Sequence, residues 1–307
     1  MSDADPLTAL ESVPGLPAGG PVTRPVRRRL LRRARPEPLL WMSDGPVGAG
    51  ALASYRGHPA LAAAGFQAVL LGERRGLEEW WRTRGLAPER MSDPGDHHAE
   101  PVLRAFWNAV VPDPEEGAEG EELIAPFGRD WPGLAAPASS VPAAPSASSA
   151  ASASSASSVP AASSASSASA TAHGGDPEAA AGALADELIG TGFLAAPRLA
   201  LVRADRGADV PTAMGWLGPT NHENDTALLS AVLRSWEDRF GARVVALGFD
   251  ELHLSVAAPP RTLAQALPVA AEHFAFCPDN VWQGSGTVRA YAEEAVASAT
   301  HWAFWWD

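Results

Sequence analysis

The sequence predicts an α+β fold: a mainly antiparallel sheet covered by helices in the C-terminal domain, a small α/β N-terminal part, and a disordered Ser/Ala linker between them. Three observations carry this. Residues 176–307 alternate capped, helix-periodic stripes with short β-rich runs. The segment Ala138–Thr171 holds only Ala, Ser, Pro, Val and Thr, and so cannot offset the entropy of ordering it. The chain of 307 residues is 46% hydrophobic, enough for a sizeable core. The expected division is an Arg/Pro-rich flexible tail over 1–37, the α/β part over 38–137, the linker over 138–175 and the C-terminal domain over 176–307.

In the N-terminal part, Val26–Arg35 has the composition of a short basic helix, Leu39–Met42 and Gln67–Leu71 read as buried strands, and Gly76–Arg84 reads as a helix carrying Trp80 and Trp81. The C-terminal elements are more sharply marked. Asp176, Pro177 and Glu178 supply an N-cap, a first-turn proline and an acid favoured by the helix dipole, so a helix runs from there to Gly190. Arg198–Arg203 reads as a strand. Asp225 or Thr226 caps a helix whose Leu228, Leu229, Val232, Leu233, Trp236 and Phe240 form one stripe, and Gly241 ends it. Arg243–Phe249 and Leu252–Ala257 read as strands of a hairpin turning at Asp250-Glu251. Thr262 and Gln265 form a capping box for a helix reaching Phe276, another helix spans Thr287–Ala297, and His301–Trp306 closes the chain as an aromatic strand.

These elements contain WEDRFGARVV (Trp236–Val245), AAPPRTL (Ala257–Leu263), AAEHFAFCPDNVWQG (Ala270–Gly284), FWWD (Phe304–Asp307) and GWLGPTNHENDTA (Gly215–Ala227). From Arg198 to Asp307 the chain resembles the bacterial domain of unknown function 4253 family (DUF4253). The upstream PLLWMSDGPV and PFGRDWPGL resemble the variable N-terminal portions of longer members. The resemblance implies a shared fold and assigns no activity, cofactor or catalytic residue.

The formal net charge is −13. Residues 176–307 hold 8 Arg against 17 acids, and residues 1–137 hold 15 Arg against 19. This balance disfavours nucleic acid and points to a basic protein partner. The seven arginines of Arg24–Arg35 are the one feature favouring a polyanion, and a solvated tail, or a strand and helix entry whose arginines pair with Asp113–Glu122, is the favoured account of them, because the acidic balance elsewhere opposes polyanion binding. The absence of lysine fits a genome of high GC content. One cysteine, Cys277, permits no internal disulfide, no Cys/His spacing suits zinc, and the acidic start lacks a signal pattern, so a cytoplasmic location without membrane anchoring is expected.

Several polar groups are candidate sites. Asn221-His222-Glu223-Asn224-Asp225 concentrates donors and acids before the strongest helix, where an anion or activated water would be favoured, and where turn and cap roles compete. His273, Cys277 and Asp279 offer a base, a thiol and a carboxylate within two turns, although a helix C-terminus disfavours a thiolate and an unpaired cysteine suits a core. His253 and Ser255 share one strand face, read as solvent-exposed, without the elbow or carboxylate of a triad. Trp282-Gln-Gly-Ser-Gly286 lacks the lysine of a phosphate loop and reads as a turn capped by Ser285 or Thr287. Trp302, Phe304 and Trp306 share a core-facing side of the last strand, leaving Trp282, Trp305 and Asp307 as partner-binding candidates.

No complete catalytic, metal or cofactor constellation is present. The leading expectation is therefore a non-enzymatic binding module with an acidic, Trp-bearing surface. The alternative is a hydrolase, metal-assisted or not, built on His222, Glu223 and Asp225 with His273 or Asp279 brought near by the fold.

Overall fold

The computed structural model describes residue 10 and residues 13–23, 38–72, 85–137 and 175–307. The expected basic helix at Val26–Arg35, the helix at Gly76–Arg84 and the linker at Ala138–Thr171 lie outside the described residues.

Seven strands form one sheet in the order β1-β2-β4-β3-β5-β6-β7. They are β1 (Gly19–Thr23), β2 (Pro38–Ser43), β3 (Phe66–Leu71), β4 (Arg198–Arg203), β5 (Ala242–Leu247), β6 (Glu251–Val256) and β7 (His301–Trp305). Every neighbouring pair is antiparallel except β3 and β5. Strand β3 pairs with β4 along its whole length, from Phe66 opposite Arg203 to Leu71 opposite Arg198, and lies parallel to β5 on its other side. The parts read as 38–137 and 176–307 therefore interleave in a single sheet, because β3 carries five buried residues of six and needs a partner on each edge.

The helices are α1 (Ala51–Arg56), α2 (Pro59–Ala63), α3 (Ala99–Val110), α4 (Gly117–Ile124), α5 (Pro177–Gly190), α6 (Val210–Met214), α7 (Thr226–Phe240), α8 (Leu263–Phe276) and α9 (Val288–Tyr291). The period-2 alternation of the strands divides the core into two layers. On the first face, Val69, Ala200, Val244, Leu254, Trp302 and Phe304 meet α3, α7 and α8, with Trp236 stacked on Phe304 at 5.5 Å. On the second face, Trp41, Leu70, Leu201 and Val245 meet α1, α2 and α5 through Leu52, Leu61 and Leu184.

The sequence signals at the helix ends are realised. Asp176 accepts from Glu178 N–H at 3.0 Å, Asp225 from Ala227 N–H at 3.0 Å, and Gly241 ends α7 at φ +60°. Thr262 and Gln265 make the reciprocal capping box. Two boundaries differ. The β5–β6 connection is Gly248-Phe249-Asp250 rather than Asp250-Glu251, since Glu251 already pairs with Trp305. The expected helix over Thr287–Ala297 is α-helical only to Tyr291 and continues as a π-helical turn, Ala292–Val296.

β7 is an edge strand whose outer backbone is covered by side chains. Asn280 Nδ2 donates to Ala303 O at 2.7 Å, Asn280 Oδ1 accepts from Trp305 N–H at 3.4 Å, and the Cys277 thiol donates to Trp305 O at 3.0 Å. A side-chain amide thus takes the place of a neighbouring strand, which blocks edge-to-edge pairing.

Candidate functional site: the uncovered face of the last two strands

The apolar second layer stops at β5. Beyond it, the residues alternating onto that face are Glu251, His253 and Ser255 on β6, and His301, Ala303 and Trp305 on β7. Helix α5 packs over β5 and β6, and Phe193, just past its end, lies edge-on to His253 with ring centroids 5.2 Å apart. Among the described residues strand β7 is more open there: Trp305 is 37% exposed and Phe193 57%. The result is a shelf with an aromatic rim and a polar floor.

The floor is unusual. His253 and Ser255 are buried, which corrects their reading as a solvent-exposed pair: α5 covers β6, and only β7 remains open. His253 Nδ1 lies 3.2 Å from His301 Nε2, so one proton is shared between two imidazoles. His253 Nε2 lies 3.9 Å from Glu251 Oε2, beyond hydrogen-bond length, and neither this nitrogen nor Ser255 Oγ has a hydrogen-bond partner among the described residues. Burial, and secondarily the neighbouring His253, push His301 down to about 4, so it is neutral at physiological pH. Glu251, which is buried, stands opposite Trp305 in the β6–β7 register.

The other candidate residues are placed as follows. Glu223 Oε1 accepts from the backbone N–H groups of Asn224 at 2.7 Å and Asp225 at 2.8 Å. Asp225 Oδ1 caps α7 and also accepts from Ser92 N–H at 3.1 Å. His222 is half-buried, edge-on to Phe106 at 4.9 Å, and burial lowers its pKa against the opposing pull of Glu223 and Asp279. Asp279 accepts from Gln283 Nε2 and from the Asp307 N–H, each at 3.1 Å, and Asn221 Nδ2 donates to the Asp307 carbonyl. The fold therefore brings His222, Asp279 and Asp307 into one neighbourhood.

His273 lies elsewhere, buried among Trp236, Trp302 and Phe304 with Nδ1 3.2 Å from Tyr291 Oη, and burial followed by the charge of Arg239 holds its pKa well below the ordinary value. Burial pushes the Cys277 thiol far up, so it is not a thiolate nucleophile at neutral pH. Trp282 is 48% exposed but rests on Phe274 of α8, on the side of the sheet opposite Trp305. The Trp282–Gly286 segment, expected as a turn, lies mostly in a π-helical stretch, Asn280–Ser285, because the chain stays coiled after α8, and of the two expected caps it is Thr287 that begins α9, its Oγ1 accepting from Ala290 N–H at 3.0 Å.

Two charged clefts lie elsewhere among the described residues. One of about 550 Å³ is lined by Asp93, Arg203, Asp205, Asp209, Thr212 and Arg234, where Arg234 binds Asp209 through Nε at 2.6 Å and Nη2 at 2.8 Å. The other, about 280 Å³, is bordered by Arg56, Arg243 and Arg206, whose charges pair with Glu178, Glu237 and Asp238. None of His222, Glu223, Asp225, His273 or Asp279 lines either cleft. Among the described residues there is no group of three or more His, Cys, Asp or Glu able to hold a metal ion, and no helix long and apolar enough to cross a membrane.

Sequence reasoning singled out Trp305, His253 and Ser255 but missed Phe193, whose only sequence signal is its place just beyond a helix C-terminus. No curated protein and no solved structure matches the chain. A family model does match: residues 198–307, from the first residue of β4 to the end of the chain, are similar to the family described as Domain of unknown function (DUF4253).

Proposed function

We propose that this protein is a non-enzymatic binding module whose shelf of Phe193, His301 and Trp305, floored by His253 and Glu251, receives a basic segment of a protein partner. The observation that carries this reading is the exposed Trp305 indole on a framework strand of an acidic chain. An arginine or lysine entering there meets the indole π-face, a pairing worth about 0.5–2 kcal/mol before any apolar burial. Phe193 supplies the apolar anchor, and the net charge of −13 favours encounter with a cationic partner. Such a module suits a protein that holds a basic partner inactive.

The hydrolase reading has less support. The carboxylates of Glu223 and Asp225 already accept backbone N–H groups, and His273 is sealed in the core.

Affinity capture with the full chain tests the proposal, run beside a Phe193→Ala/Trp305→Ala variant of unchanged melting temperature. The expected result is a stoichiometric basic protein held by the parent and weakened at least tenfold by the variant. Equal recovery by both, or no stoichiometric partner of the parent, contradicts it.

A further inference from the structure

Strands β3 and β5 are joined only through Leu70–Ala246 and Leu71–Leu247, so this parallel pair is open toward its N-terminal ends. The Arg56 guanidinium closes the gap. Its Nη1 donates to Ala68 O on β3 at 3.3 Å and to Val244 O on β5 at 2.8 Å, while its Nε donates to Glu178 Oε2 at 2.7 Å. The side chain is only 5% exposed, yet Nη2 makes no hydrogen bond among the described residues. A charged donor held this firmly with one nitrogen left over calls for an acceptor.

That nitrogen faces the cleft of about 280 Å³ at Gly207. A Cβ added to Gly207 would stand 3.6 Å from Arg56 Nη2, 3.2 Å from Glu237 Oε1 and 4.0 Å from Gln67 Oε1. Gln67 commits its Nε2 to Ala204 O at 3.3 Å, which leaves Oε1 as the atom it offers here. One donor and two acceptors thus converge on a point kept open by the missing side chain.

The charges around this point are separated. On one side Arg56 and Arg243 share the single carboxylate of Glu178, at 2.7 and 2.6 Å, which leaves positive charge in excess. On the other, Glu237 and Asp238 share the single guanidinium of Arg206, at 2.8 and 2.6 Å, which leaves negative charge in excess. Glu178 stays ionised in this setting: burial would raise its carboxyl, but the hydrogen bonds and charges of Arg56 and Arg243 outweigh that and hold it below the ordinary range. The acidic side repels a simple anion and the basic side a simple cation.

We propose that this cleft is a binding site for a small free α-amino acid, whose carboxylate is received by Arg56 and Arg243 and whose ammonium is received by Glu237 and Gln67. Arg243 spends Nε on Glu178 and Nη1 on Ala242 O, so its Nη2 joins that of Arg56. An α-amino acid carries its two charged groups on one carbon, which suits a donor and two acceptors grouped within 4.0 Å of one point. Apart from Gly207, every lining side chain is charged or an amide, so a small polar ligand side chain is accommodated and a large apolar one is not. The site is separate from the β7 shelf, and the inference does not depend on that reading.

Titration calorimetry of the full chain tests it with three probes: L-serine, L-serinamide, which lacks the carboxylate, and N-acetyl-L-serine, which lacks the ammonium. L-Serine is expected to bind once per chain, and each analogue at least tenfold more weakly. Arg243→Gln, at a partly exposed position that leaves Arg56 to pair with Glu178, is expected to weaken L-serine at least tenfold. No saturable heat from L-serine at millimolar concentration, equal binding of either analogue, or an unchanged affinity in folded Arg243→Gln overturns the inference. The comparison of the three probes uses the parent chain and so decides even if the variant does not fold.

Discussion

At the scale of single residues, the molecule buries histidines as neutral groups. His301, His222 and His273 all have pKa values lowered chiefly by burial, His301 to about 4. The unfolded chain binds protons at these positions near pH 6.5 and the folded chain does not, so their contribution is fully present above about pH 6.5 and declines as the pH falls toward 4. Each such histidine adds a slope of up to about 1.4 kcal/mol per pH unit in that window. Melting temperatures measured between pH 7.5 and 4.5 should therefore fall on the acid side, and His301→Gln should flatten the curve while leaving the value at pH 7.5 little changed. A His301→Gln profile parallel to the parent contradicts the assignment. The sequence made His253 and Ser255 visible as a pair on one strand face, but whether that face is wet depends on where α5 ends, which strand alternation does not encode.

At the scale of elements, local chemistry determined most of what could be foreseen. Asp176, Asp225, Thr262 and Thr287 each stand where a helix begins, because a short side-chain oxygen satisfies N–H groups the helix cannot. Asp225 does more than cap, since its Oδ1 also holds Ser92 N–H of the upstream part. Asp225→Ala is expected to cost about 1–2 kcal/mol, with the midpoint of urea unfolding as the measurement and an Asp225→Asn variant recovering most of the loss. A turn of different length at Gly248–Asp250 and the π-helical turn after Tyr291 were not foreseeable. The first depends on pairing across the sheet, Glu251 with Trp305, and the second is a local i→i+5 hydrogen bond, Ala297 N–H to Ala292 O, that helical periodicity does not distinguish from an α-helical one.

At the scale of the whole molecule, the region matched by the family model does not contain a continuous sheet of its own. Residues 198–307 supply β4 through β7, yet β4 and β5 are not neighbours, because β3 from upstream lies between them. The N-terminal part is further tied in through Arg56, whose guanidinium reaches Glu178 at 2.7 Å and Val244 O at 2.8 Å, and through Ala135, whose N–H donates to Glu272 Oε1 at 2.6 Å. A composition change near residue 138 suggests a division, but composition reports what a segment can bury and not which strands pair across it. Without β3, both facing edges of β4 and β5 would present unpaired backbone and the apolar faces of Leu201 and Val245 would lose their neighbours.

The most direct test of this architecture is to produce residues 175–307 alone, residues 1–137 alone, and both together, and to follow cooperative unfolding by circular dichroism and association by size-exclusion chromatography. The account predicts that neither piece unfolds cooperatively by itself and that the mixture elutes as a one-to-one complex with a single sharp transition. A cooperative, monomeric 175–307 fragment that ignores residues 1–137 would contradict it.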